Sequence, residues 1–243
     1  MTGQAVGCQL MSRWKLNKWS RFVQMPRLGQ VCALCGTLNT DLVCGDCAAE
    51  LPLLEHACQQ CAIQLPVGGV LCGSCQKKPP VFDRAWSLYH YEGALSHLVH
   101  RLKYRRELQI GHWLGARMAE SLVHADLPDV IIPVPLHRKR LQQRGFNQAM
   151  ELARPVASRL GISVQPWCCK RTKHTAPQFE LPADQRRKNV AEAFACPPVP
   201  YHRVVVIDDV MTTTATANAV AKALKNAGVE QVTLWLCARA QHK

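Results

Sequence analysis

Asp208 and Asp209 follow the β-branched run Arg203–Ile207 and precede Thr212, Thr213, Thr214, Ala215 and Thr216. The run reads as a strand buried on both faces. Thr216 to Ala227 reads as an Ala-rich helix stopped by Gly228. In open α/β sheets, ligands sit at the carboxyl ends of strands. Threonine hydroxyls and backbone N–H groups at the start of the helix suit a phosphate dianion. Two carboxylates beside it can accept hydrogen bonds from sugar hydroxyls and help place a hydrated magnesium ion. Together these residues describe a pocket for a phosphorylated sugar. The plainer alternative is an acidic cap on an ordinary helix.

Cysteines form the second chemical set. Of 13 in the chain, eight fall in four Cys-x-x-Cys pairs: Cys32/Cys35, Cys44/Cys47, Cys58/Cys61 and Cys72/Cys75. Two residues between thiols let both face one ion from a tight turn, and two such knuckles complete a tetrahedral thiolate site. With no export signal the thiols should stay reduced, which argues against disulfides. One or two structural zinc ions are therefore expected, with consecutive, interleaved or partly degenerate pairing all open. A closed four-thiolate site leaves no position for a reacting water, so the zinc is not the chemistry.

Other elements must position these groups. Lys77-Lys78-Pro79-Pro80 marks the end of the cysteine module, giving a basic leader over 1–30, a zinc-ribbon module over 31–78 and a larger domain over 81–243. In that domain Ala85 to Tyr91 is strand-like, and Ala94 to Tyr104 and Leu108 to His124 are helix-like. Asp129 to Pro135 is a short apolar strand, and Val232 to Ala238 another. Asn147 to Leu160 is helical, with Gly161 as its stop and Pro155 expected to kink or divide it. The alternation predicts an α/β fold with a parallel sheet.

Lys and Arg total 30 against 17 acids, a formal charge of +13. The excess suits an anionic partner such as nucleotide or nucleic acid, although a basic surface can also serve solubility alone. Part of it lies in the leader, where Arg13, Lys15, Lys18, Arg21 and Arg27 alternate with Trp14, Trp19 and Phe22. No apolar run is long enough for a signal-peptide core or a membrane span, which predicts a cytoplasmic protein.

Val204 to Thr216, VVVIDDVMTTTAT, resembles the phosphoribosyl-pyrophosphate (PRPP) motif of type I phosphoribosyltransferases. The order of further landmarks is similar to that in the ComF/GntX family. These are the four knuckles, Leu102-Lys103-Tyr104, Pro133-Val134-Pro135-Leu136-His137, Arg144-Gly145-Phe146-Asn147-Gln148, Thr175-Ala176-Pro177-Gln178 and Arg186-Arg187-Lys188-Asn189-Val190. The resemblance implies a type I phosphoribosyltransferase-like sheet flanked by helices. It gives ribose hydroxyls to Asp208 and Asp209, the 5′-phosphate to Thr212 to Thr216, and pyrophosphate to Pro135, Leu136 and His137. Lys103, Arg144 and Asn147 would line the same mouth, and Lys170 to Asn189 would close over PRPP and magnesium. The family usually has Gly where Thr214 stands, a departure that matters if the backbone there needs positive φ.

Three functions follow from the resemblance. One is a PRPP-binding factor that handles imported single-stranded DNA alongside competence or helicase proteins. The others are a salvage phosphoribosyltransferase and a zinc-ribbon regulator that senses a phosphoribosyl ligand.

Overall fold

A computed structural model describes residues 29–123, 125–173 and 193–241. Residues 1–28 of the basic leader, His174 and the two landmarks between Thr175 and Val190 lie outside the described residues. The described chain falls into two compact units that part between Cys44 and Gly45.

The first unit holds a two-stranded antiparallel hairpin, β1 (Gln30–Val31) and β2 (Leu38–Asn39). Gly36, with φ of 76°, makes the left-handed turn that follows Cys35. Such a turn suits a residue without a Cβ.

The second unit opens with the short helices α1 (Gly45–Ala49) and α2 (Gly73–Lys77). Its main sheet has four parallel strands in the order β3 (Arg84–His90), β8 (Gln231–Arg239), β7 (Arg203–Met211), β4 (Val130–Pro133). Between β3 and β4 run α3 (Gly93–Arg105) and α4 (Leu108–Ser121), and between β4 and β7 run α5 (Arg138–Arg144) and α6 (Gln148–Leu160). A small ribbon, β5 (Lys170–Arg171) with β6 (Phe194–Ala195), precedes β7, and α7 (Ala215–Asn226) joins β7 to β8. The parallel α/β sheet flanked by helices matches the fold class expected from sequence.

Strand alternation gives the sheet two apolar faces. Val130, Ile132, Val204, Val206, Leu234 and Leu236 share a core with Val220 and Leu224 of α7, and Cys58, Cys61, Ala62 and Cys75 belong to the same cluster. The intervening Ile131, Val205, Ile207 and Trp235 are buried on the opposite face, where α4 and α6 pack. Residues 45–78 and the sheet thus share one core. The chain before β3 also lies along that strand's outer edge. Leu54 N–H donates to the Leu88 carbonyl at 3.0 Å, and His90 N–H to the Pro52 carbonyl at 2.8 Å.

Pro155 neither divides nor ends its helix, because α6 runs unbroken from Gln148 to Leu160. Its ring is accommodated by a flat stretch of α4. A Cβ on Gly115 would fall 2.4 Å from Pro155 Cγ, and one on Gly111 would fall 2.8 Å from Glu151 Cβ. Gly115→Ala should therefore overpack the α4–α6 contact and lower stability by about 2–3 kcal/mol. A urea melt in which the variant equalled wild type would contradict this close packing.

Candidate functional site

Asp208 and Asp209 lie inside β7, which continues to Met211 instead of ending at Ile207. Alternation along the strand therefore divides their tasks. Asp208 shares a face with Val206 and Val210, and with Thr212, Thr213 and Thr216 it lines a cavity of about 80 Å³. That is room for several waters, enough for one phosphoryl-sized group. Asp209 turns into the protein. Its carboxylate pairs with the Lys103 ammonium from α3 and accepts from Gln148 Nε2 at 3.3 Å. Gln148 Oε1 in turn accepts from Arg144 Nη1 at 2.5 Å, and the Arg144 guanidinium lies 5.9 Å from the centre of the Tyr104 ring.

The electrostatics follow this division. Burial, then the neighbouring Asp209 charge, pushes the Asp208 carboxyl well above the usual carboxylate range. Burial acts in the same direction on Asp209, but Lys103 outweighs it and holds that carboxyl below its ordinary value. Lys103 loses to burial and gains more from Asp209, so its ammonium is held more firmly than usual. Burial weakens the hold of Arg144 on its proton, with the nearby Arg140 charge adding to the effect.

A carboxyl raised on folding binds its proton more tightly in the folded state than in the unfolded one. Its stabilising effect is complete below the ordinary carboxylate pKa and is lost as pH rises toward the folded value. Asp208→Asn removes that loss. The variant should melt roughly 2–4 °C above wild type at neutral pH. The gap should shrink as pH falls toward the ordinary carboxylate range. A constant gap across pH would show that Asp208 titrates normally.

The loop after β7 places its threonines without strain. Thr214 caps α7 with φ −77° and ψ 0°, so the position does not use the left-handed region. Its β-branch is tolerated there, and the departure from glycine imposes no backbone penalty at this residue. Asn218 N–H donates to the Thr214 carbonyl at 2.8 Å, and its side-chain amide donates to Thr214 Oγ1 at 3.3 Å. Thr212 and Thr213 are exposed, whereas Thr214, Ala215 and Thr216 are half-buried.

The segment after β4 is also organised by capping. Pro135 is buried, while Leu136 and His137 are half-buried. His137 starts α5 by accepting the Lys139 N–H at 3.2 Å. Asn147 caps α6 by accepting the Ala149 N–H at 3.1 Å, and its amide donates to the Val134 carbonyl at 3.0 Å. Both of its functions fasten α6 to the end of β4. Lys103, Arg144 and the acids therefore form one connected group, with Asn147 in a bracing position.

Sequence reading missed Gln148 as the bridge between Arg144 and Asp209, although it stands next to the Asn147 cap. It also missed Arg171, half-buried over the Phe194 ring at 5.6 Å and felt electrostatically by Asp208. Nothing in the surrounding polar run distinguished that arginine.

The cysteines resolve into two consecutive clusters, Cys32/Cys35/Cys44/Cys47 and Cys58/Cys61/Cys72/Cys75, each with its sulfurs within 4.8 Å of one another. Cys35 and Cys44 Sγ are 3.7 Å apart, and Cys61 and Cys72 Sγ 3.6 Å. Disulfide sulfurs would lie at about 2.05 Å. A tetrahedron of thiolates about 2.3 Å from a central ion has edges of about 3.8 Å. Backbone N–H groups already point at the sulfurs: Cys44 to Cys32 Sγ and Cys72 to Cys58 Sγ, each at 3.3 Å. The turn after Cys61 is made by Ala62 at φ 54°, where the first cluster uses glycine. Each cluster can hold a metal ion.

No protein-family model matches the chain. Competence protein F of Haemophilus influenzae is 35% identical over 207 residues, covering 81% of this chain and 84% of that protein. The chain belongs to the ComF family. A second relative of this ComF chain, the DNA utilization protein YhgH of Salmonella typhimurium, is 33% identical over 222 residues, 88% of this chain and 98% of its own length. Among solved structures, a glutamine PRPP amidotransferase from B. subtilis aligns with 52% of the ComF chain and 26% of its own at 18% identity. Its TM-score of 0.36 is too low to bear on function. No helix among the described residues is long and apolar enough to cross a membrane.

Proposed function

We propose that this ComF-family protein binds PRPP with magnesium at the crevice between β7 and α7, and uses it in the handling of imported single-stranded DNA in the cytoplasm. The observation that carries the reading is the direction of Asp208: it faces a phosphoryl-sized cavity whose rim is Thr212, Thr213 and Thr216. The threonine hydroxyls and the first amides of α7 would hold the 5′-phosphate. Asp208 would accept from ribose hydroxyls, while Lys103 keeps Asp209 ionised behind it. Magnesium would neutralise charge on the pyrophosphate, as a hard cation held through oxygen ligands and water.

The thiolate clusters suit zinc as a structural ion, since the sulfur set is soft and closed. Reduced thiols in both clusters also fit a reducing compartment. For DNA the support is the +13 charge together with the names of the relatives, competence protein F and a DNA utilization protein. Tyr104, 62% exposed beside Arg144, offers a ring on which a base can stack.

Calorimetry with PRPP and magnesium tests the site. Wild type should bind, and Asp208→Asn/Asp209→Asn should lose PRPP while keeping single-stranded DNA. DNA affinity should fall steeply with salt, because phosphate contacts release counterions. Wild type that ignores PRPP would end the ligand reading, and absence of DNA binding at low salt would end the DNA reading. Pyrophosphate release on adding a nucleobase would extend the function to phosphoribosyl transfer.

A further inference from the structure

Arg239, the last residue of β8, is only 1% exposed. Its Nε donates to the Cys61 carbonyl at 2.9 Å. Its Nη1 reaches the carbonyls of Met211 and Thr212, both at 2.9 Å, and of Ala240 at 2.5 Å. One guanidinium therefore ties a knuckle of the second cluster to the residues that open the threonine loop. Arg239 forms no ion pair with a carboxylate among the described residues.

A buried cation without counter-charge is costly, and neutral carbonyls satisfy its hydrogen bonds without cancelling its charge. A divalent ion bound by four thiolates carries a net negative charge. The loaded cluster thus supplies the counter-charge that lets Arg239 stay in place. Emptying it removes that negative charge and frees the Cys61 knuckle whose carbonyl anchors the guanidinium opposite Met211 and Thr212.

We infer that Arg239 is a positioning residue through which metal occupancy of the Cys58/Cys61/Cys72/Cys75 cluster sets the conformation of the Met211–Thr216 loop and hence its affinity for a phosphoribosyl ligand. The last step rests on the PRPP reading above, whereas the link from metal to loop does not. Coupling between two binding sites is reciprocal. PRPP should therefore tighten metal at this cluster by the same factor that metal tightens PRPP, about tenfold for a typical coupling.

Two measurements test it. Amide exchange at Met211–Thr216 is compared between wild type, Cys58→Ser, which empties this cluster, and Arg239→Met with its metal retained. Amides of α6 serve as the reference for global loosening. Exchange at 211–216 should rise about tenfold in both variants relative to α6, with Arg239→Lys intermediate because it keeps the charge but not the fork. Equilibrium competition with a chromophoric chelator, with and without PRPP and magnesium, should show tighter metal in wild type and no PRPP effect in Arg239→Met.

Unchanged loop exchange in Cys58→Ser overturns the proposal. So does PRPP that binds wild type yet leaves metal affinity unaltered. If PRPP fails to bind wild type while the exchange pattern appears, the metal-to-loop link stands and the ligand reading falls. Should Arg239→Met not fold, Arg239→Lys and Cys58→Ser decide the matter.

Discussion

Chelating the metal should release two ions per chain and unfold residues 30–44 outright. The first unit has little else to hold it: Cys32 and Val43 are its buried hydrophobic residues among those described, and its hairpin has two residues per strand. For small modules of this kind the free energy of metal binding is folding free energy, on the order of 10 kcal/mol for a structural zinc at neutral pH. The far-UV circular dichroism change would be small, so the sensitive readouts are amide exchange at Ala33 and Cys44 and proteolysis of this segment. Residues 30–44 that stayed protected after complete metal removal would show that the hairpin folds on its own contacts.

The second large effect concerns Lys103. Replacing it with methionine keeps the length of the side chain but strands the buried Asp209 carboxylate, 3% exposed, without a counter-charge and with the Gln148 amide and the Asp208 carboxyl as its remaining partners. Removing one member of a buried pair costs about 3 kcal/mol or more, because the remaining charge is uncompensated. For a domain of this size that corresponds to a fall in Tm of roughly 6–12 °C. The pH dependence has a definite sign. In wild type, Asp209 is held below its ordinary value, so its stabilising contribution is present at neutral pH and lost as pH falls through the folded pKa. In Lys103→Met, burial acts unopposed and raises that carboxyl, so the variant recovers relative to wild type as pH is lowered. The deficit should be largest near pH 7 and narrow toward pH 4. Adding Asp209→Asn to Lys103→Met should restore much of the lost stability, since both charges are then gone. A deficit independent of pH would assign the effect to packing.

The sheet, its flanking helices and the paired knuckles were readable because each rests on local pattern: β-branched runs at Arg203–Ile207 and Val232–Ala238, a Gly161 stop, Cys-x-x-Cys spacing. What escaped depended on partners distant in sequence. Two acids look like the end of a strand, yet β7 continues through them because Lys103 and Gln148 satisfy Asp209 from α3 and α6. Pro155 looks like a helix breaker, and only the glycines of α4 explain why it is not. Thr214 looked costly beside the usual glycine, but its cost depended on a φ that sequence does not reveal. Arg138–Arg144 carries no apolar period, yet it folds as α5 on the His137 cap. Arg239 was the least visible, a lone cation closing an apolar strand.

The segment that runs beside β3 has one more consequence. A terminal strand of a parallel sheet presents unpaired backbone groups to any passing chain, and proteins cover such edges to avoid self-association. Here the cover is the stretch from Pro52 to Gln59, which contains Cys58, the first cysteine of the second cluster. The thiolate cluster therefore guards colloidal behaviour as well as shape. Stripped of metal at this cluster, the protein should begin to clump at concentrations where the loaded form does not.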